Sequence, residues 1–478
     1  MKRTNLPDWS SLIPVLPADG PRPRAIYLAI RRLIESGLMP PGTKLPTTRD
    51  LSARLSVSRL AAVTAFELLT AEGFAEARVG AGTFVAAAVP SLPDSGSAQS
   101  AREPPLEPAR PFQLGIAQPD RRTMASFRQL LAQRLREPGP EHFQYGDLRG
   151  GLELRTAIAA YLRTARGVRC EASQILLTSG TQQALDLIFR AILAPGDAVW
   201  LEDPGYPSAR TAVTNNGGRA IGVPVDAEGL DLTAARLPAE RVRAVYVTPS
   251  HQFPLGVTMS MRRRLALLDW AARSGAWLLE DDYDSEFRYA GPPLTALQGM
   301  DGAGRVAYLG TFSKVLFPGL RVGYAVLPPE LMERVLRLRA QTDRHPPTLT
   351  EGALAELLTD GHFAAHLRRT RRRCQAARDV LVRTLRRQLG LVLDPPGQGL
   401  HLVLPLAPLA DDHAIAAAAA IRGVHVQPLS PLFIDAAPRQ GLVLGFSGFA
   451  PAELETAGVA LAGVIHATAP PLPGPSHD

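Results

Sequence analysis

Cysteine, lysine and long apolar runs are all scarce in this sequence of 478 residues. The two cysteines, Cys170 and Cys374, exclude a fold that depends on a disulfide framework. No run approaches the roughly 20 consecutive apolar residues that span a bilayer, so we expect no membrane partner. The opening residues lack the apolar segment of an export signal. We therefore expect a cytoplasmic protein.

Lysine accounts for only three of the 52 basic residues, and arginine supplies the rest. Arginine can replace lysine where only positive charge is needed, but not where the chemistry requires a primary amine. Lys2 is close to the start of the chain and Lys44 lies in a Pro/Gly turn, whereas Lys314 lies in a mostly apolar run. Lys314 is therefore the candidate for amine chemistry, with chance survival as the alternative.

Positive charge is concentrated in one region. The net charge is +7, and residues 22–59 contain eight basic and two acidic residues. Such a distribution is typical of a protein that binds an acidic partner. The composition, 46% hydrophobic and 20% charged, is that of a globular protein and excludes the disordered and fibrous classes.

Residues 1–85 are predicted to form three helices followed by a β-hairpin. Apolar residues at helical spacing between Ile26 and Ile34 indicate the first helix. Thr47 and Ser58 are suited to cap the second and third helices. Strands at 74–79 and 83–85 flank a glycine turn. This order predicts a winged helix-turn-helix, whose third helix enters the major groove of DNA.

The basic residues of this domain are predicted to bind DNA, those of the hairpin by meeting phosphates or the minor groove. The alternative is a small helical domain with a solvated basic face. The six residues expected to contact DNA are Arg49, Ser58, Arg59, Arg78, Gly82 and Thr83.

A second, larger domain is predicted at 109–478, after a proline-rich linker at 86–108. Apolar strand-like runs alternate with helical stretches, which is the α/β pattern of a mostly parallel sheet. The proline-rich end of the chain is expected to be a frayed tail. The predicted strand runs are 175–177, 198–201, 244–247, 277–279 and 306–309.

The surroundings of Lys314 meet the needs of pyridoxal 5'-phosphate. The lysine amine can form a Schiff base with the cofactor aldehyde, and apolar neighbours lower the pKa of that amine. Thr311 and Ser313 offer hydroxyls to the phosphate, and Arg321 can add a fixed positive charge.

Asp281 follows the apolar run 277–279 and can keep the pyridine nitrogen protonated. Tyr283, two residues later, can hydrogen-bond the ring hydroxyl. The alternatives for the acidic run 280–284 are a solvated loop or a metal site.

Two further segments are candidates for cofactor contacts. Gly180, Thr181 and Gln182 follow a predicted strand and open a helix, where backbone amides bind phosphate. Tyr206 lies in a proline-rich turn, where its ring can stack on the cofactor, although an isolated tyrosine is more often structural.

Taken together, these motifs resemble the MocR subgroup of GntR-family regulators, in which a winged helix-turn-helix is fused to an aminotransferase-like domain of fold type I. The resemblance covers nearly the whole chain. It is carried by Pro-Gly-Thr-Lys-Leu-Pro at 41–46, Ser-Arg at 58–59, Gly-Ala-Gly-Thr-Phe-Val at 80–85, Thr-Pro-Ser-His-Gln-Phe-Pro-Leu-Gly at 248–256 and the run 280–287.

The resemblance implies a transcriptional regulator that binds operator DNA and pyridoxal phosphate. It implies the cofactor roles given above, and a homodimer in which Tyr145 reaches the phosphate from the partner subunit. The effector is expected to be the cofactor or its adduct with an amino compound, and the targets vitamin B6 or amino-acid metabolism genes. The alternatives are a working aminotransferase with an appended helical domain, or a scaffold with relics of both domains.

Three departures from related sequences bear on function. Phe253 stands where an asparagine usually contacts the ring hydroxyl, and Val443 stands where an arginine usually binds a substrate carboxylate, with Arg439 nearby. The third helix begins with apolar residues at 60–62, so Arg49, Arg59 and the wing are expected to carry more of the DNA recognition. The arginine cluster 368–373 is expected to be a solvated helix face, with DNA contact as the alternative.

Overall fold

The computed structural model describes residues 22–88, 108–117, 119–136, 138–234, 242–292 and 294–468. The chain divides into two compact units, Met1–Glu107 and Pro108–Asp478. Most of the predicted linker and the proline-rich tail lie outside the described residues. Within the described part of the chain, no helix combines the length and the apolar character that crossing a membrane requires.

The first unit is a three-helix domain followed by a hairpin, which confirms the predicted winged helix-turn-helix. Its buried side chains come from all three helices and from the hairpin, as Ile30, Leu51, Leu69 and Val85 show. The elements are α1 (Arg22–Glu35), α2 (Thr48–Leu55), α3 (Arg59–Ala71), β1 (Ala75–Arg78) and β2 (Gly82–Val85).

Both predicted helix caps are present. The Thr47 side chain accepts a hydrogen bond from the Asp50 amide at 3.1 Å, and the Ser58 hydroxyl accepts one from the Ala61 amide at 3.2 Å. Ser56, with a φ of 53°, closes α2 in the left-handed region. The chain therefore passes from α2 to α3 through a short turn, as a helix-turn-helix requires.

The hairpin strands differ slightly from the prediction. Gly82 pairs with Arg78 as the first residue of β2 and is not part of the turn. The turn is tighter than the predicted one, because the Ala81 amide donates a hydrogen bond to the Arg78 carbonyl at 3.0 Å. Gly80 in this turn has a φ of 72°. Phe74 and Val79 consequently lie outside the strands.

The second unit is an α/β domain built on a large sheet and a smaller one. Its helices are α4 (Arg121–Arg136), α5 (Leu152–Arg166), α6 (Thr181–Ile192), α7 (Pro207–Asn215), α8 (Met261–Ser274), α9 (Leu297–Met300), α10 (Pro329–Arg339), α11 (Glu351–Thr359), α12 (His362–Leu389), α13 (Asp412–Ile421) and α14 (Pro451–Thr468). Its strands are β3 (Ile175–Thr178), β4 (Ala198–Asp203), β5 (Arg219–Asp226), β6 (Gly229–Leu230), β7 (Val242–Val247), β8 (Trp277–Asp282), β9 (Val306–Thr311), β10 (Gly323–Val326), β11 (His401–Pro405), β12 (Gln427–Pro428) and β13 (Gly441–Gly445).

The large sheet has the strand order β3-β10-β9-β8-β7-β4-β5-β6 in the described residues. The central pairs β9·β8, β8·β7, β7·β4 and β4·β5 are parallel, whereas β10 runs antiparallel between β3 and β9. All five predicted strand runs lie in this sheet, and its mostly parallel character is confirmed. The smaller sheet is antiparallel, with the order β11-β13-β12.

Helices cover both faces of the large sheet, which explains why its central strands are apolar at every position. Along β7, Ala244 and Tyr246 face the cluster that contains α6, and Val245 and Val247 face the cluster that contains α8. This packing places the carboxyl ends of the parallel strands β8 and β9 side by side at one edge, where polar residues can converge.

Candidate cofactor pocket and DNA-binding surface

A cavity of about 260 Å³ lies at the carboxyl edge of the large sheet. It brings together side chains that are far apart in the sequence, and most of the predicted cofactor residues are among them. The predicted residues that line it are Thr181, Gln182, Tyr206, Asp281, Tyr283, Thr311, Ser313, Lys314 and Arg321.

Lys314 follows β9 and is anchored by its apolar neighbours, since Phe312 and Val315 are buried. Burial lowers the pKa of the Lys314 amine, and the nearby carboxylate of Asp281 opposes that shift. A Cβ atom on Gly115 would lie 2.5 Å from the lysine Nζ, so the absence of a side chain there makes room for the amine. The geometry favours an amine that loses its proton readily and can act as a nucleophile.

Asp281 offers the cavity an unsatisfied carboxylate oxygen. Its Oδ2 accepts a hydrogen bond from the Tyr246 hydroxyl at 2.7 Å, whereas its buried Oδ1 has no hydrogen-bond partner among the described residues. Burial raises the pKa of Asp281 to about 7. A protonated pyridine nitrogen would satisfy this oxygen and stabilise the charged carboxylate, so the residues present fit pyridoxal phosphate.

The other carboxylates of the acidic run bind protein groups. Glu280 accepts hydrogen bonds from two backbone amides at the start of α9, at 2.9 and 3.0 Å. Asp282 forms a buried ion pair with Arg166 at 2.7 Å, and Asp284 Oδ2 lies 2.8 Å from His251 Nδ1. Since the carboxylates of the run are buried, the alternative of a solvated loop is wrong.

Two tyrosines lie beside the cavity with defined neighbours. The Tyr283 hydroxyl is 3.1 Å from His251 Nδ1, and burial raises the pKa of Tyr283 well above its usual range. The Tyr206 ring meets Phe253 edge to face, with centroids 5.8 Å apart. Both side chains are therefore held in place by packing.

Groups that are suited to bind an anion lie at the start of α6 and near Arg321. Gly180 precedes the helix with a φ of 117°, and a Cβ there would lie 3.4 Å from the guanidinium of Arg321. Ser313 Oγ is buried and has no hydrogen-bond partner in the described part of the chain. The Thr311 hydroxyl accepts a hydrogen bond from the Ser313 amide at 3.1 Å. Helix amides, a guanidinium and hydroxyls are the groups that bind phosphate.

Tyr145 does not line the cavity of its own chain. It is 80% exposed, and the Arg344 guanidinium lies 4.4 Å from its ring centroid. Its contact with the phosphate of a partner subunit stays a prediction.

Several cavity residues were not predicted from the sequence. Tyr246 could have been found, because it lies on a predicted strand beside that of Asp281. No sequence signal pointed to Leu114, Gly115, Leu400 or His401, which come from distant segments.

The residues at the positions of the expected carboxylate-binding arginine add no charge to the cavity. Val443 is buried in an apolar cluster with Leu429 and Leu432, against which Phe253 packs. Arg439 is exposed, and its guanidinium lies 5.8 Å from the Phe433 ring centroid.

The predicted DNA-binding residues lie at the surface of the first unit. Arg49, Arg59 and Arg78 are exposed. Arg78 pairs with Glu76, and its guanidinium lies 4.5 Å from the Phe84 ring centroid. The remaining three are the exposed cap Ser58 and two residues of β2, the exposed Gly82 and the half-buried Thr83.

The apolar residues at the start of α3 are divided between the core and the surface of the first unit. Ala61 and Ala62 are buried in the core, whereas Leu60 is 74% exposed. Only Leu60 of these three is available at the surface.

The arginine cluster 368–373 lies on α12 and is partly used within its own unit. Arg369 pairs with Asp120, and Arg371 donates to the Glu286 carbonyl at 2.9 Å. These two arginines tie α12 to the rest of the domain, so the cluster is not a purely solvated face.

Comparison with known families agrees with this architecture. Residues 23–85 match the family of bacterial regulatory proteins, gntR family, and residues 111–441 match aminotransferase class I and II. The family relationship and the fit of the pocket identify pyridoxal 5'-phosphate as the cofactor.

Two curated relatives cover nearly the whole chain. The probable rhizopine catabolism regulatory protein MocR of Rhizobium meliloti is 37% identical, over 91% of this chain and 92% of that protein. The HTH-type pyridoxine biosynthesis transcriptional regulator PdxR of Corynebacterium glutamicum is 35% identical, over 89% and 91% of the two chains.

A solved aminotransferase has the same fold as the second unit. LysN, an alpha-aminoadipate aminotransferase from Thermus thermophilus solved with N-(5'-phosphopyridoxyl)-L-leucine, matches with a TM-score of 0.68 and 29% identity. The match covers 74% of this chain and 93% of the aminotransferase. The chain therefore belongs to the MocR subgroup of GntR-family transcriptional regulators.

Proposed function

We propose that this regulator senses pyridoxal phosphate, alone or joined to an amino compound, and that occupancy of the cavity changes its affinity for operator DNA. The observation that carries the proposal is the cavity itself, where Lys314 lies beside the unpartnered Oδ1 of Asp281. A chain that combines such a pocket with a basic winged helix has two sites for two ligands, and linkage between them is reciprocal.

Each pocket residue has a proposed role in holding the cofactor. Lys314 provides the amine that bonds the aldehyde, Asp281 pairs with the ring nitrogen, Tyr283 hydrogen-bonds the ring hydroxyl, and Tyr206 stacks on the ring. When bound, the cofactor supplies an electron-withdrawing ring and an electrophilic carbon. The proposed phosphate ligands are Gly180, Thr181, Gln182, Thr311, Ser313 and Arg321.

The proposal is tested by fluorescence anisotropy of DNA from upstream of the protein's own gene, at fixed salt, with and without pyridoxal phosphate. We expect specific binding whose affinity changes with the cofactor. The similarity to a pyridoxine biosynthesis regulator supports vitamin B6 genes as targets. Specific DNA binding whose affinity does not change with the cofactor, either alone or together with amino compounds, would contradict the proposal.

For the DNA-binding surface, we expect Arg49→Ala and Arg59→Ala each to weaken operator binding. Both side chains are exposed on the helix-turn-helix, and each lost phosphate contact lowers the slope of log affinity against log salt by about 1. The measurement is anisotropy over a series of salt concentrations.

Arg273→Ala is the matched control for these substitutions, because it removes one charge from an arginine at the end of α8 that is 72% exposed. An unchanged salt slope in both Arg49→Ala and Arg59→Ala would refute the DNA-contact assignment.

We propose that the protein is a homodimer in which Tyr145 of each chain completes the partner's cavity. The tyrosine is exposed on its own chain, yet the Arg344 guanidinium lies close above its ring. An exposed tyrosine held in this way is suited to meet a second copy.

Mixed dimers test this arrangement. A dimer of one Lys314→Ala chain and one Tyr145→Phe chain has one site with both defects and one with neither. We therefore expect mixed dimers to bind cofactor in one of two sites with native affinity, measured by titration of the purified heterodimer. If Tyr145 served its own chain, no intact site would form, and no native-affinity site would be found.

Aminotransferase activity is the second candidate function, because Lys314 and Asp281 both line the pocket. The apolar surroundings of Val443 favour the regulator instead. Turnover of amino acid and keto acid pairs that disappears in Lys314→Ala would establish the enzyme.

A further inference from the structure

One wall of the cavity, as formed by the described residues, carries no charged side chain, and we call it the apolar wall. It consists of Leu114, Phe253, Leu400 and His401. Leu114 and Phe253 pack against the buried cluster of Leu429, Leu432 and Val443, and the ring centroids of Phe253 and His401 are 5.4 Å apart. The wall is therefore one continuous surface beside Lys314.

His401 is neutral in this wall. Its Nε2 lies 2.9 Å from the Pro254 carbonyl, which can only accept, so Nε2 carries the proton. Burial lowers the pKa of His401 to about 3. The remaining ring nitrogen, Nδ1, is therefore a hydrogen-bond acceptor and not a cation.

The cations that line the cavity, among the described residues, are Lys314 and Arg321. Arg321 lies at the start of α6 beside Gly180, where it is proposed to bind phosphate. A carboxylate on the apolar wall would lack a positive partner. Two carboxylates are also close to this region. Asp281 lines the same cavity. Asp284 contacts His251, and the ring centroid of His251 is 5.0 Å from that of His401.

Burial of an unpaired anion beside other carboxyl groups is strongly unfavourable. A ligand without a carboxylate places only uncharged groups against the wall and avoids this cost. The wall therefore favours an amine without a carboxylate over the corresponding amino acid.

We propose that the amino compound that acts with the cofactor in this pocket is a primary amine without a carboxylate. This inference rests on the proposed function, since it names the ligand of the same pocket. The ligand nitrogen replaces the Lys314 nitrogen on the cofactor carbon, and this exchange needs no further reactant. The ligand nitrogen forms a carbon–nitrogen double bond to the cofactor carbon as the bond to Lys314 breaks. The two ligand protons pass to Nζ, and Lys314 is released as a neutral amine.

The test uses the full-length, cofactor-loaded protein and three probes that share a propyl group on the carbon that carries the amine. n-Butylamine lacks a carboxylate, norvaline carries one next to the amine, and norvalinamide replaces its charge with a neutral amide. The readouts are the visible absorption of the cofactor and the anisotropy of bound operator DNA. We expect n-butylamine and norvalinamide to act at concentrations about tenfold or more below that of norvaline.

Arginine substitutions in the wall should reverse this preference. Phe253→Arg places a guanidinium in the wall, and Val443→Arg places one in the buried cluster behind it. In each variant norvaline should gain about tenfold relative to n-butylamine. Phe253 is only half-buried, so its variant tests the idea even if the fully buried Val443 does not tolerate arginine. Leu265→Arg, at an exposed position on α8, is the matched charge control.

Norvaline acting as well as n-butylamine would overturn the proposal. A lack of response to all three probes would also overturn it. Norvalinamide behaving like norvaline would show that shape, and not charge, decides. Failure to bind cofactor or operator DNA would instead refute the proposed function, which is a distinct outcome.

Discussion

Replacement of Lys314 by alanine is expected to abolish covalent retention of pyridoxal phosphate. The Lys314 amine lies in the cavity with its pKa lowered by burial, and the other two lysines, Lys2 and Lys44, belong to the other unit. After borohydride reduction, mass spectrometry should find the cofactor on the wild-type chain and not on the variant. The cofactor-dependent change in DNA affinity should be lost as well.

Lys314→Arg is the informative companion variant. It keeps a positive charge and a long side chain, but a guanidinium does not replace the amine in this bond. We therefore expect it to behave like Lys314→Ala. Lys44→Ala should retain the cofactor fully. Covalent cofactor on Lys314→Ala, or its loss in Lys44→Ala, would show that the lysine assignment is wrong.

Asp281→Asn is expected to weaken cofactor binding by about 10- to 100-fold. The substitution preserves size but removes the anion that the ring nitrogen needs, and a hydrogen bond to a charged group contributes about 1.5–3 kcal/mol. The measurement is equilibrium titration of the cofactor-free protein with pyridoxal phosphate. Affinity within a factor of about two of wild type would contradict the role of Asp281.

The pH dependence of cofactor affinity follows from the raised pKa of Asp281. The pKa of Asp281 is raised to about 7 by burial, so at about pH 6 roughly nine tenths of this group is protonated without the cofactor. Cofactor affinity should therefore rise about tenfold between about pH 6 and 8 through Asp281. Conversely, the contribution of Asp281 to the stability of the cofactor-free protein is present below pH 4 and is lost as the pH rises through 7.

Glu202 provides a matched control for this dependence. It is buried, its pKa is raised to about 7 by the same cause, and it accepts hydrogen bonds from Thr248. Glu202→Gln should keep the pH dependence of cofactor affinity, whereas Asp281→Asn should lose most of it. The Lys314 amine accounts for the remaining rise, because its loss of a proton also favours binding at higher pH.

The sequence predicted much of the fold because local chemistry determined it. Thr47 and Ser58 cap helices through contacts within three residues, and the apolar strand runs needed no knowledge of their neighbours. The antiparallel strand β10 was not among the predicted strand runs. Its place between β3 and β9 depends on pairing with distant segments.

The acidic run shows where sequence reasoning stopped. Asp281 and Tyr283 were predicted to share one face from their spacing, and both line the cavity. The sequence alone left a solvated loop open, because burial of the run depends on partners such as Arg166 and His251, far away in the chain.

The sequence by itself determined the two domain types and the mostly parallel sheet, and it singled out Lys314 as the proposed cofactor amine. These follow from periodicity, capping and the unusual scarcity of lysine, all of which are local or compositional properties. Only the tertiary structure decided that Tyr246 holds Asp281, that Gly115 makes room for Lys314, and that a neutral His401 completes an uncharged wall. These contacts join segments from residue 114 to residue 401, and which distant side chains meet is decided by the packing of the whole domain.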